Sequence, residues 1–323
     1  STHCISSAAS DVYKRQYWHL DNFWGFEGVE RFKFGEGYQF AHEETRDDSA
    51  HLTGPLGFDA TTHPLIREFK FLKAIADRYG VAAKVTLPSP AQFFAELVRG
   101  QNAERVHRFY TNDADFHAAI QRVYHDEILA LYDAGARTIQ LDDCTWGMLV
   151  DPHFGVLMAG NGVSVTELKT LYLTLNNGAL ADLPDDLVIN THVCRGNYHS
   201  DWAASGGYDL VADELLGQEN VASYFLEYDS DRAGGFAPLA KVSGDKRVVL
   251  GLITTKTGEL EDKQVIIDRI YEAAQYLPLE RLWLSTQCGF ASTEEGNVLT
   301  EDQQWAKLAL VRDILTQVWG YKA

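Results

Sequence analysis

The sequence predicts an α/β protein whose architecture is a (β/α)8 TIM barrel, and three observations point there. Short β-rich runs alternate with amphipathic stretches from about residue 65 onward, no stretch rich in Pro, Gly or Ser divides them, and the strands close repeatedly on polar residues and thiols. An open doubly wound sheet is the second choice, because no Gly-x-Gly-x-x-Gly follows the first strand.

The elements follow in order. The first fifty-odd residues are aromatic and irregular: YWHLDNFWGFEGVERF precedes the polar run HEETRDDSAH, a pattern of loops and short elements without a long amphipathic period. Residues 65–79 are helical in pattern, VAAKVTL is a short strand ending at Pro88, and AQFFAELVRG begins the next helix. An apolar-periodic stretch over 116–134 stops at Gly135, and ARTIQLDD follows as a strand. The second half repeats this grammar. A helix over 165–179 leads to the strand DLVINTHVC, a weak helix near 208–217, and the strands ASYFLEYD and RVVLGLIT. A helix over 261–276, the strand RLWLSTQC and an amphipathic helix over 301–319 complete the series. Six strands alternating with helices predict parallel pairing, covered on both faces.

At 323 residues and 36.1 kDa the chain is in the range where one large α/β domain competes with two small ones, and the missing linker favours one. Apolar residues at 46% and charged residues at 23% exclude disorder and coiled coil. Twenty-eight basic against forty-six acidic residues give a net charge of −18 and a pI of about 4.9. Such a charge argues against a nucleic-acid backbone or an anionic membrane as partner, while leaving room for a local basic pocket that takes a small anion. No run is long and apolar enough for a spanning helix, and STHCISSAAS has neither a basic nor an apolar leader region, so the expectation is a cytoplasmic protein. Four cysteines, Cys4, Cys144, Cys194 and Cys288, are too few and too dispersed for a disulfide scaffold.

In a barrel, chemistry gathers where strands end. The predicted ends carry Pro88 and Ser89; Asp142, Asp143 and Cys144; His192 and Cys194; Glu227 and Asp229; residues 254–256; and Gln287 with Cys288. His192, Cys194, Glu227 and Cys288 make a donor set suited to zinc: two thiolates, an imidazole and a carboxylate. The His-x-Cys spacing lets both side chains leave a strand end on one face, whereas the long gaps to Glu227 and Cys288 carry little by themselves. The competing reading has both thiols as buried small hydrophobes and His192 as a satisfied polar residue capping the sheet. Zinc held by two thiolates can also keep an incoming thiol deprotonated, and the chemistry is then alkyl transfer to sulfur. Asp142 and Asp143 are consecutive and face opposite ways on a strand, so one is expected to pair or cap a helix; Asp142 is the choice for a substrate amine. Trp146 either walls the pocket or packs in the core. Lys256 and Arg195 supply positive charge near the same rim, where anchoring a substrate acid competes with pairing to carboxylates. Cys144 has no evident partner.

At these residues the chain resembles the catalytic domain of cobalamin-independent methionine synthase, and more closely the short single-domain methyltetrahydropteroyltriglutamate-homocysteine methyltransferase-like homologues. The segments that carry the resemblance are YWHLDNFWGFEGVE, KVTLPSPAQF, TIQLDDCTWG, THVCRGN, YFLEYD, VLGLITTKTGELE and STQCGFAS, which together span most of the chain. Most are modest signals alone; THVCRGN followed by QCGFAS is strong. The resemblance implies that His192, Cys194, Glu227 and Cys288 are zinc ligands and that Asp142 holds the amine of homocysteine. It further implies that the zinc-activated homocysteine thiol attacks the N5-methyl group of a methylated tetrahydrofolate, giving methionine and tetrahydrofolate. Beside these, Lys256 is expected with Asp142 among the catalytic residues, and Ser89, Trp146 and Arg195 with Asp142 around the substrate.

Departures from the family pattern shape the domain expectation. Family members begin with Val-Gly-Ser and a following Arg-Pro, then carry Asp-Gly-Glu-Phe before the aromatic run; here SDVYKRQ precedes that run and places Val12 where the glutamate belongs. DVYKRQ is also the translation of a transposon-end adapter. The expectation is a non-native or rebuilt segment over 1–16 and a single barrel domain over 17–323, lacking or rebuilding its first two strands. Lys256, in TTKTGE, lies near the place where full-length members have a histidine implicated in proton transfer. Another branch of the superfamily opens epoxides with the thiol of coenzyme M on similar zinc ligands. The alternatives are therefore alkyl transfer to a different thiol and a zinc-binding homologue impaired in catalysis.

Overall fold

The computed structural model describes residues 20–160 and 162–321. Cys4, Val12 and the segment 1–16 lie outside the described residues. The aromatic run contains more order than its pattern predicts. After the short helix α1 (Leu20–Trp24), strands β1 (Glu27–Lys33) and β2 (Asp48–Gly57) pair antiparallel. Their pattern is hidden because β1 buries chiefly Val29 and is held through charged side chains, with Arg31 and Lys33 both reaching Asp48. This ribbon packs onto the helices that follow it.

Six strands form the main sheet: β3 (Val85–Pro88), β4 (Thr138–Asp142), β5 (Val188–Val193), β6 (Ser223–Glu227), β7 (Arg247–Ile253) and β8 (Leu282–Thr286). They pair in that order and every pair is parallel, as the alternation predicts. Helices α2 (Pro64–Arg78), α3 (Pro90–Leu97), α4 (Asn102–Val106) and α5 (Asp113–Asp133) precede β4. Next come α6 (Cys144–Leu149), α7 (Pro152–Gly160), α8 (Val165–Ala179), α9 (Ala212–Gln218), α10 (Lys263–Ala273) and α11 (Glu301–Trp319). Local chemistry sets their ends. Asn112 caps α5 by accepting from Asp115 N, which starts that helix in a polar first turn ahead of the apolar period. Thr300 and Gln303 form a reciprocal capping box at α11.

The sheet is curled. On a flat sheet β5 and β8, with β6 and β7 between them, lie about 14 Å apart at a strand spacing of about 4.8 Å. Yet His192 Nε2 on β5 is 3.4 Å from Cys288 Sγ just beyond β8. Lys84 Nζ, just before β3, likewise sits 4.2 Å from the centre of the Phe225 ring on β6. Side chains from strands three places apart thus meet twice, the curvature a barrel requires. Among the described residues the parallel sheet has six strands, two fewer than an eight-stranded barrel.

Candidate metal centre

The carboxyl ends of β5 and β8 bring His192, Cys194 and Cys288 together, with one imidazole nitrogen and two sulfurs all within 4.8 Å of one another. All three residues are buried. Parallel pairing explains part of this convergence: His192, one residue before the end of β5, lies opposite Asp142, and the chain then carries Cys194 over the strand end. Cys288 follows the last β8 residue by two and adopts φ +51°, an unusual backbone for a side-chain-bearing residue, which turns its sulfur back toward His192.

Glu227 closes β6 beside the trio but lies outside that group of three. Its Oε2 accepts from Arg195 N at 2.8 Å and from Gln287 Nε2 at 3.0 Å, and its Oε1 faces Arg232 at 3.3 Å. Gln287 Nε2 also lies 3.0 Å from Cys288 Sγ, so one amide couples carboxylate and thiol. Tyr208 ties the same strand ends together, donating to Val193 O at 3.0 Å and accepting from Glu227 N at 2.9 Å.

Electrostatics favour a charged site. Contact with Cys144, then with Cys288, and the nearby His192 all draw the Cys194 thiol toward its thiolate. Burial pushes the Glu227 carboxyl up, against the pull of Lys256 and Arg195. Burial alone would lower Lys256, but Glu227, Asp229 and Cys288 outweigh it and hold the ammonium protonated. Its Nζ is 3.7 Å from Asp229 Oδ2.

The remaining predicted residues are placed as follows. Asp143 caps α6, accepting from Thr145 N at 3.2 Å and from Asn176 Nδ2 at 2.7 Å, so the structure resolves the aspartate pair as one cap and one rim residue. Asp142 ends β4 beside His192 and is buried. Ser89 Oγ caps α3 by accepting from Gln92 N at 2.9 Å. The Arg195 guanidinium donates through Nε to Gly206 O at 2.8 Å and covers the Tyr208 ring. Trp146 is fully buried, edge-on to Tyr172. Cys144, without an evident partner in the sequence, has its sulfur 3.6 Å from Cys194 Sγ. Arg232 carried no sequence signal.

A family profile described as cobalamin-independent synthase, catalytic domain, matches residues 93–309, about two thirds of the chain. The chain belongs to this family. The chain is similar to two uncharacterized Bacillus subtilis proteins. YxjH is 44% identical over 308 residues and YxjG 41% identical over 309, each match covering 95% of this chain and 79% of the relative. A solved structure of a candidate vitamin-B12-independent methionine synthase from Listeria monocytogenes aligns with TM-score 0.68 and 34% identity, covering 94% of this chain and 79% of that one. A B12-independent methionine synthase from Shewanella sp. W3-18-1, solved with selenomethionine, aligns with TM-score 0.68 at 16% identity, covering 95% and 80%, and speaks for the fold alone. Family and fold make the chain an enzyme of the methyltransferase type, and its His-Cys-Cys cluster is a donor set that can hold a metal ion. No helix among the described residues is long and apolar enough to cross a membrane.

Proposed function

We propose that this chain transfers a methyl group from a methylated tetrahydrofolate, or another small methyl donor, to the thiol of homocysteine, with zinc held by His192, Cys194, Cys288 and Glu227. The observation that carries the reading is the convergence of one imidazole and two thiols within 4.8 Å at the barrel's carboxyl face. Two sulfurs and a nitrogen are the ligands zinc prefers, and the donor set fits that ion. When bound, zinc supplies a Lewis acid that holds an acceptor thiol as its thiolate. Glu227 stands beside the trio on a carboxylate already oriented by Arg195 N and Gln287.

In this reading Asp142, next to His192 on the neighbouring strand, takes the substrate amine. Lys256, buried and cationic, holds a proton for the leaving pterin nitrogen while Asp229 orients it. Ser89, Trp146 and Arg195 act by shaping the pocket wall, since a cap, a core contact and a carbonyl bond already fix their side chains. An acceptor such as coenzyme M carries a sulfonate and no amine, so an acidic residue at Asp142 favours an amino-acid thiol. Partners are small molecules, and the acidic charge of −18 argues against a nucleic-acid backbone or an anionic membrane as partner.

Zinc K-edge absorption on the purified chain, with metal quantified, tests this before and after homocysteine. The expected result is one zinc that gains a sulfur neighbour on adding homocysteine, with Cys194→Ser and Cys288→Ser each losing stoichiometric metal and activity. Bound zinc that ignores homocysteine would remove that acceptor, and failure to bind zinc after anaerobic reconstitution would overturn the reading.

A further inference from the structure

We propose that Cys144 and Cys194 are a disulfide-forming pair, an oxidative modification site built against the metal centre. The pair goes beyond the methyl-transfer reading and does not depend on which metal the centre takes. Its first support is the contact itself, 3.6 Å between the two sulfurs. The second is strand register. Asp142 and His192 are paired residues of the parallel ladder, and Asp143 N donates to His192 O at 2.8 Å, so the backbones run on together. Cys144 and Cys194 each lie two residues beyond that pair. Neighbouring strands about 4.8 Å apart fall inside the Cα span of about 4.4–6.8 Å that disulfides occupy.

The third support is that both backbones are held. Cys144 opens α6, whose cap Asp143 is fixed by Thr145 and Asn176. Gly147 in the same helix lies so close to Cys194 that a Cβ there would stand 1.8 Å from the Cys194 carbonyl oxygen. Cys288 also contacts Cys194 and is the competing partner, but its sulfur is held by Gln287 and His192 as well.

Cys144 is partly exposed and Cys194 is buried, so a small peroxide meets Cys144 first. The Cys144 sulfur attacks one peroxide oxygen as its proton is released: an S–O bond forms, the O–O bond breaks, and the departing hydroxide takes that proton. Cys194 then attacks the sulfenyl sulfur; the S–S bond forms, the S–O bond breaks, and the hydroxide leaves as water with the Cys194 proton. Two thiols are oxidised by two electrons and one peroxide is reduced to two waters. The product withdraws Cys194 from the metal-binding trio.

The test treats the reduced, metal-free full chain with hydrogen peroxide, then maps crosslinked peptides by mass spectrometry. Expected is a loss of two hydrogens with Cys144 joined to Cys194, reversed by dithiothreitol and abolished in Cys144→Ser. Crosslinking of Cys194 to Cys288 instead, or a Cys144 that stays open to alkylation after its neighbours have oxidised, would overturn the proposal. The methyl-transfer reading fails separately, on the absence of zinc or of a homocysteine response.

Discussion

Glu127 and His63 show how far burial sets the chemistry of single residues in this chain. Both side chains are fully buried and approach to 3.6 Å, a distance that looks like an ion pair. Burial lifts the Glu127 carboxyl to about 8 and drops the His63 imidazole to about 4, so the contact at neutral pH is between uncharged groups. The folded chain keeps the Glu127 proton up to about pH 8, whereas the unfolded chain releases it near the ordinary carboxylate value of 4.5. The stability this group contributes is therefore complete below about 4.5 and is lost as pH rises through about 8. His63 acts in the opposite sense, with its contribution complete above 6.5 and lost as pH falls through about 4. Glu127→Gln should flatten the alkaline decline by on the order of 3 kcal/mol, read from urea unfolding between about pH 5 and about pH 9. Parallel wild-type and variant curves would mean that Glu127 is charged in the fold.

At the scale of elements, α6 positions the metal site although no sequence pattern marked it as a helix. It is six residues long and is capped by Asp143, and it reaches the β5 end only because residue 147 has no side chain. Gly147→Ala should therefore cost about 1–3 kcal/mol in thermal unfolding and also reduce bound metal, because the Cys194 backbone must move. Gly155→Ala in α7, where a Cβ meets nothing within 4 Å, serves as control and should leave both quantities near wild type. Metal binding unchanged in Gly147→Ala would show that the approach of α6 is incidental to the site. Long elements were the legible ones: α8 and α11 begin and end where their apolar period does. The ribbon of β1 and β2 was not, because its charged cross-strand pairs stabilise it without an alternating pattern.

Across the whole molecule, the last helix is tied back to the site. Lys307 on α11 is fully buried and donates to Glu259 O at 2.6 Å and to Glu261 Oε1 at 2.9 Å. Glu261 in turn accepts from Thr254 N at 2.9 Å, just beyond β7 and two residues before Lys256. Lys307→Ala leaves Glu261 without its cation and should lower stability by about 3–5 kcal/mol, with Lys307→Met less harmful because it keeps the packed stem. Chemical denaturation measures this; equal stability of the alanine variant and wild type would show that α11 is anchored by its apolar face alone.

The sequence by itself determined the alternation of helix and strand, the parallel sheet, and the identity of the residues at each strand end, because periodicity and chain order are local properties. His192 and Cys194 were readable as neighbours since they share one strand end. Only the tertiary structure decided that Cys288, ninety-six residues from His192, comes within 3.4 Å of it, because that contact depends on how far the sheet curls. The same holds for Cys144, whose partner sits just beyond the adjacent strand, and for Glu227, whose carboxylate is oriented by a backbone amide from just beyond β5 and an amide side chain from just beyond β8. Strand spacing and curvature are collective quantities of the packed core, and no single segment of the sequence carries them.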